Sequence, residues 1–163
     1  PQDPAGCTQF FKRVVERSNG ALVFAGVLPL TGIVTCSSSS ASFDFSGDPN
    51  FQSLLDEPRT VVEANPAAPL SGQAVIVVAV PFHGDDGTLA GVVSVSLAQS
   101  LLQPAAPVGA DPPAYFTVNE NGDVLTSTAE IRASIDDLPV RQMLQDVRTN
   151  QHGAVLDAFP VYQ

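Results

Sequence analysis

Residues 73–82 are apolar on both faces of an extended segment, and few folds can house such a run. Val75, Val77 and Ala79 would share one face of a strand and Ile76, Val78 and Val80 the other, which leaves no face for water. A strand of this kind belongs mid-sheet, with helices or loops covering it on both sides. His83, Gly84, Asp85, Asp86 and Gly87 follow with the chemistry of a hairpin tip, where Asp bonds its own backbone and Gly tolerates positive φ. Beyond the tip Val93, Val95 and Leu97 alternate with Ser94 and Ser96, the period of a pairing strand. The pattern predicts an antiparallel hairpin at the heart of the fold.

Upstream, Asp3 and Pro4 read as an N-cap followed by the first helical position, and Cys7, Phe10, Phe11, Val14 and Val15 form an apolar stripe at helical spacing. Ser18, Asn19 and Gly20 stop that helix. Residues 21–27 and 32–37 are apolar, β-branched runs around a short loop and are expected to form a second antiparallel hairpin. Residues 38–47 have the composition of a loop. Asp48 and Pro49 then open a short helix through Leu55, and residues 60–63 make a brief strand after Pro58.

The chain also matches itself when shifted by 90 residues. Gly32, Val34 and Ser37 fall on Gly122, Val124 and Ser127, while Pro49, Gln52, Leu54 and Asp56 fall on Pro139, Gln142, Leu144 and Asp146. Two stretches in one register favour two copies of a unit: residues 1–103, a Pro- and Ala-rich linker over 104–113, and residues 114–163. The same shift carries the strong hairpin past Gln163, so the second copy is expected to be incomplete.

With 163 residues there is material for one domain or two small ones, and 44% hydrophobic residues suit a packed core rather than a disordered tail. Seven Lys and Arg against 17 Asp and Glu give a net charge of -10, which repels nucleic acid and anionic lipid, so no nucleic-acid partner is expected. Lys12 is the only lysine and no Gly-Lys pair exists, which excludes a phosphate-cradling loop. The longest apolar stretches, residues 21–30 and 74–82, are far shorter than the roughly 18–20 residues that cross a bilayer. The chain opens Pro1-Gln2-Asp3-Pro4 and is expected to be a piece of something longer.

Few residues suit chemistry. Cys7 and Cys36 are the only cysteines, and neither has the CxxC or His company of a zinc site. A bridge between them would close about 29 residues, contribute about 3.6 kcal/mol by loop entropy and imply an oxidising compartment. Two separate buried thiols are the alternative that these residues leave open. His83 beside Asp85 and Asp86 has the makings of a metal or acid–base cluster, but the bracketing Gly84 and Gly87 read more simply as a solvated hairpin tip, and His152 beside Gly153 reads the same way. Residues 119–123 have the look of a calcium loop, yet Thr117 and Thr128 occupy the positions of its first and closing ligands, so a turn is expected. GxSxG, HExxH and a Gly-rich dinucleotide fingerprint are all missing; neither catalysis nor a cofactor is expected in this segment, and no metal site.

The helix with Cys7, the run Gly32-Ile33-Val34-Thr35-Cys36-Ser37-Ser38, Phe43-Asp44-Phe45 ahead of Asp48-Pro49-Asn50-Phe51, then Ala79-Val80-Pro81 and Gly91-Val92-Val93-Ser94-Val95-Ser96-Leu97, together resemble the extracytoplasmic PAS-like sensor domains called Cache or PDC. The resemblance spans about residues 5–103. Phe116-Thr117-Val118-Asn119 and Gly122-Asp123-Val124-Leu125 after the linker resemble the double form, in which a membrane-distal unit precedes a proximal one. It implies an α+β fold with a PAS-like antiparallel sheet and a long N-terminal helix, in two tandem units.

The resemblance also implies a periplasmic input domain of a bacterial transmembrane receptor, foremost a two-component histidine kinase, tethered by helices outside this sequence. Two copies would pair as a homodimer through the N-terminal helix, which ligand binding would displace. The family's pocket lies between the central sheet and the segment that covers it. Here that implicates Phe45, Asp48 and Phe51 from the cover, Arg59 near the next strand, and Phe82 with His83 at the end of the central strand. The ligand is an unidentified small molecule. Relatives often read Arg-Pro-Tyr-Phe where this chain has Asp48-Pro49-Asn50-Phe51, so a carboxylate-binding arginine and an aromatic are missing. Alternatively, Phe43, Phe45 and Phe51 simply fill a core. The Cys-Ser-Ser run is also similar to the CSS motif of EAL-type phosphodiesterases, which implies a redox-sensing module as an alternative. A third reading is a surface adhesion module without signalling.

Overall fold

The structure, a computed structural model, describes residues 4–69, 72–102, 115–119 and 121–128. Its first helix, α1, spans Pro4–Arg17; proline suits the opening position, whose N–H has no partner within a helix. Cys7, Phe11, Val14 and Val15 form a half-buried stripe, whereas Phe10 stays outside at 55% exposure. The helix stops at Ser18, whose hydroxyl donates to the Val15 carbonyl (2.6 Å) and accepts from the Leu22 N–H (2.9 Å). Left-handed φ angles at Asn19 (54°) and Gly20 (83°) then reverse the chain.

The strands β1 (Leu22–Pro29), β2 (Ile33–Val34), β3 (Cys36–Ser37) and β4 (Phe43–Asp44) precede helix α2 (Pro49–Asp56), and β5 (Val61–Asn65), β6 (Val75–His83) and β7 (Leu89–Ala98) follow it. Five of them form one antiparallel sheet in the order β3-β1-β7-β6-β5. The expected hairpin is therefore β6–β7, closed by Gly84 N–H donating to the Thr88 carbonyl (2.9 Å). A 3-10 turn over Gln99–Leu102 ends this unit's described part.

Two expectations need correction. The doubly apolar run forms β6, an interior strand, but β7 occupies the middle. The five residues of β5 reach only Val75 to Ala79, so among the described residues the rest of β6 has a neighbour on one side alone, with Val80 42% and Phe82 37% exposed. Pro81, with no N–H to give, suits that one-sided stretch. The run 32–37 is not one strand: β2 pairs with β4 and β3 with β1. The break falls at Thr35, and the stretch is entered through Gly32. Gly32 holds φ +77°, and a Cβ there would lie 2.6 Å from the Ser46 nitrogen, so the chain can cross under the segment that follows only because the side chain is missing.

The Cys7–Cys36 disulfide ties α1 to β3 across 29 residues, with the Cα atoms 5.6 Å apart. Cys36 stands opposite Val27 in the register, so bridge and helix share the sheet face that carries Ala25 and Val27. On the other face Leu54 of α2 packs with Ala79, Val92, Leu28 and Val61. Among the described residues no helix is long and apolar enough to cross a membrane.

By packing the chain divides into two units, Pro1–Ala105 and Ala106–Gln163. What is described of the second is a hairpin of β8 (Phe116–Val118) and β9 (Val124–Ser127). Its turn is built by Asn119, whose Oδ1 accepts from the N–H groups of Asn121 and Asp123 at 2.9 Å while Nδ2 donates to Asp123 Oδ2. Asn119, Asn121 and Asp123 are thus joined in a side-chain-bonded turn. The second stretch of the repeat, Pro139 to Asp146, and His152 lie outside the described residues.

Candidate functional site

Strand alternation assembles the site. Phe24, Ser96, Val77 and Glu63 stand in one row across β1, β7, β6 and β5, and Gly26, Ser94, Ala79 and Val61 in the next. All project from the face opposite the disulfide. The second row is built of small residues, so it leaves a hollow that the bulkier residues around it do not fill. Gly26 stays small for a local reason as well, because a Cβ there would lie 2.7 Å from that of Ser37.

The segment from β4 to α2 roofs this hollow. Phe45 N–H donates to the Gly32 carbonyl (2.9 Å), and Gln52 Nε2 donates to the Ser46 carbonyl (2.8 Å), which hold the roof in place. Asp48 is the N-cap of α2: its Oδ1 accepts from the N–H groups of Asn50 (2.9 Å) and Phe51 (3.0 Å). Between roof and sheet lies a cavity of about 170 Å³, with Phe45, Asp48, Phe51 and Leu54 above and the β1, β5, β6 and β7 rows below.

The electrostatics are one-sided. Asp48 and Glu63 line the cavity, and among the described residues no lysine, arginine or histidine does. Burial pushes the half-buried Glu63 carboxyl above its ordinary value of 4.5, and the nearby Asp48 charge adds to the rise. Ser94 and Ser96 are buried, at 7% and 5% exposure, so the polar half of the β7 alternation faces inward rather than to solvent.

Of the residues that the family resemblance implicates, Phe45, Asp48 and Phe51 meet at this cavity, whereas Arg59, Phe82 and His83 do not line it. Arg59 is exposed in the turn that precedes β5. Phe82 falls on the opposite face from Val77 and Ala79 by simple alternation, and His83 lies beyond a register shift at the hairpin tip. That tip holds no cluster: Asp86 Oδ1 accepts from Thr88 N–H (3.0 Å) and from its hydroxyl (2.7 Å), bonds that lower the Asp86 carboxyl below its ordinary value. Among the described residues no three His, Cys, Asp or Glu side chains are grouped to hold a metal. Glu63, Ser94 and Ser96 are site residues that motif reasoning passes over. A signal for them existed in the register, since each is a polar residue placed at an inward position of an otherwise apolar strand.

No protein-family model matches the chain, nor does any curated protein. Solved structures do. The extracellular domain of the histidine kinase rpHK1S-Z16 superposes with a TM-score of 0.60 at 14% identity, over 83% of this chain and 61% of that one. The sensor domain of the Vibrio cholerae histidine kinase DctB gives 0.52 at 17%, over 61% and 39%. The ligand-binding domain of the Campylobacter jejuni chemoreceptor Tlp3, in complex with L-norvaline, gives 0.51 at 20%, over 76% and 50%. The chain spans between 39% and 61% of the length of these three structures. These superpositions show a shared fold, and the chain has the α+β, PAS-like fold of the Cache (PDC) sensor domains.

Proposed function

We propose that the chain is an extracytoplasmic ligand-sensing input domain of a transmembrane receptor, and that a small molecule held beneath α2 sets the position of α1. The observation that carries this reading is the roofed cavity of about 170 Å³ on the sheet face opposite α1. It is smaller than the roughly 300–1,000 Å³ pockets of drug-sized ligands, which suits a compact metabolite. Further support comes from the fold, because its solved neighbours are sensor and ligand-binding domains rather than catalytic ones. The segment therefore works by binding, and we assign the chemistry to a cytoplasmic output, a two-component histidine kinase.

Coupling runs through β1, which places Phe24 and Leu28 in the cavity and Ala25 and Val27 on the face toward α1. A ligand shifts such a system only by its unequal affinity for two arrangements, and carrying it from almost all off to almost all on needs roughly 5.5 kcal/mol of preference. The receptor would carry two tandem units, residues 1–103 and 114–163, pair through α1 as a homodimer, and be tethered by membrane helices outside residues 1–163. A thermal-shift screen against small metabolites tests the binding claim: a ligand at 100 times its Kd stabilises by about 2.7 kcal/mol. A folded protein that responds to nothing in a broad library contradicts it.

One observation favours a second reading. The Cys7–Cys36 bond joins the helix to the sheet, so its reduction would free α1 and make redox state the signal. A receptor lacking both cysteines that folds and still answers its stimulus excludes this alternative.

A further inference from the structure

We propose that the cavity beneath α2 takes a small organic cation, a primary amine that carries no carboxylate, with its ammonium at Glu63 and its body along Phe24, Phe51 and Leu54. The inference rests on the ligand-sensing reading above and narrows it to a chemical class.

Glu63 is half-buried on the cavity wall, and among the described residues its carboxylate makes no hydrogen bond or ion pair. The other charge on the wall is Asp48, of the same sign and already engaged in capping α2. A carboxylate held in that position without a counter-ion is costly, and its raised protonation range reflects the cost. Independently, Ser94 and Ser96 are both more than nine-tenths buried and line the same cavity, and neither hydroxyl has a hydrogen-bond partner among the described residues. Among the described residues no side-chain N or O shut off from solvent lacks a partner, so the two hydroxyls open onto the cavity and are available to what occupies it.

One ligand class suits all of these groups. An ammonium supplies the missing counter-charge and N–H donors for Glu63, and a second polar end on the same molecule, such as the other amine of a diamine, reaches the serine oxygens. The phenyl rings of Phe24 and Phe51 offer apolar surface that a cationic molecule also favours. An anion would meet two carboxylates and no compensating cation, and a zwitterion would bury its own carboxylate unpaired. Glu63 and Ser96 share one row of the sheet two strands apart, about 10 Å between backbones, a span that a chain of a few carbons bridges between its polar ends.

Calorimetric titration of the full 163-residue chain at neutral pH with butylamine, putrescine, γ-aminobutyrate and butyrate tests this. The expected result is binding of the two amines, γ-aminobutyrate at least about tenfold weaker and butyrate silent. Glu63→Gln, an isosteric change, should weaken the amines about tenfold or more, and Ser94→Ala with Ser96→Ala several-fold. Equal binding of γ-aminobutyrate or butyrate, unchanged amine affinity in Glu63→Gln, or calcium or magnesium binding in place of the amines each overturns the amine assignment and leaves the cavity a ligand site. Silence of all four probes while the metabolite screen yields a neutral or anionic ligand does the same. Silence of both the probes and the screen overturns the sensing reading along with it.

Discussion

Replacing Cys7 and Cys36 together by alanine removes a closure of 29 residues. In the chain-entropy account that closure contributes about 3.6 kcal/mol. Unfolding entropy of about 2.1 cal/mol/K per residue, over a first unit of about 105 residues, turns this into a fall in Tm of about 16 °C. The effect should concentrate in α1. None of its described side chains is buried; the stripe of Cys7, Phe11, Val14 and Val15 is only half so, and the bridge is thus a large part of what holds the helix to the sheet. Calorimetry should show the fall in Tm, and hydrogen exchange should show α1 amides losing protection before those of β6 and β7. Wild type treated with reductant should match the double variant. A fall of less than about 4 °C, or uniform loss of protection along the chain, would refute the entropic argument and the anchoring role given to the bridge.

Glu63→Gln should stabilise the domain above pH 4.5 and not below it. The native carboxyl is raised, so the folded state binds more protons than the unfolded state as pH climbs from 4.5 to the native value; wild-type stability falls through that window and stays lower beyond it, which Tm against pH for both proteins will show. Asp48→Ala removes the cap of α2 and should cost about 1 kcal/mol, with Asp48→Asn recovering most of it in urea unfolding. Gly32→Ala should cost more than an ordinary loop substitution, because the left-handed φ and the Ser46 backbone both oppose a Cβ; loss of less than about 0.5 kcal/mol would contradict the role given to that crossing.

Much of this architecture can be read from residue order alone. The helix ends of α1 and α2, the β6–β7 hairpin and the cap at Asp48 are local decisions made by Pro4, Gly20, Gly87 and Asp48, and local physics settles them. The division of residues 32–37 between β2 and β3 is different. It falls at Thr35 because the first half pairs with β4 and the second with β1, a choice between distant segments that no periodicity reports. The same limit applies to the site. Phe45, Asp48 and Phe51 are recognisable because they lie together on one short covering segment. Glu63, Ser94 and Ser96 come from separate strands and share a wall only through the sheet register. Phe82 illustrates the converse: it sits close to Ala79 along the chain, yet one step of alternation sends it to the other face.

Hydrogen–deuterium exchange of the chain with and without a stabilising metabolite bears most directly on the claim that occupancy beneath α2 is relayed to α1. The account expects slower exchange over residues 48–56 and 61–65, together with a change in α1, whose helix lies across the sheet from the ligand. Protection confined to residues outside the cavity, or a protected cavity with α1 unaltered, would contradict it.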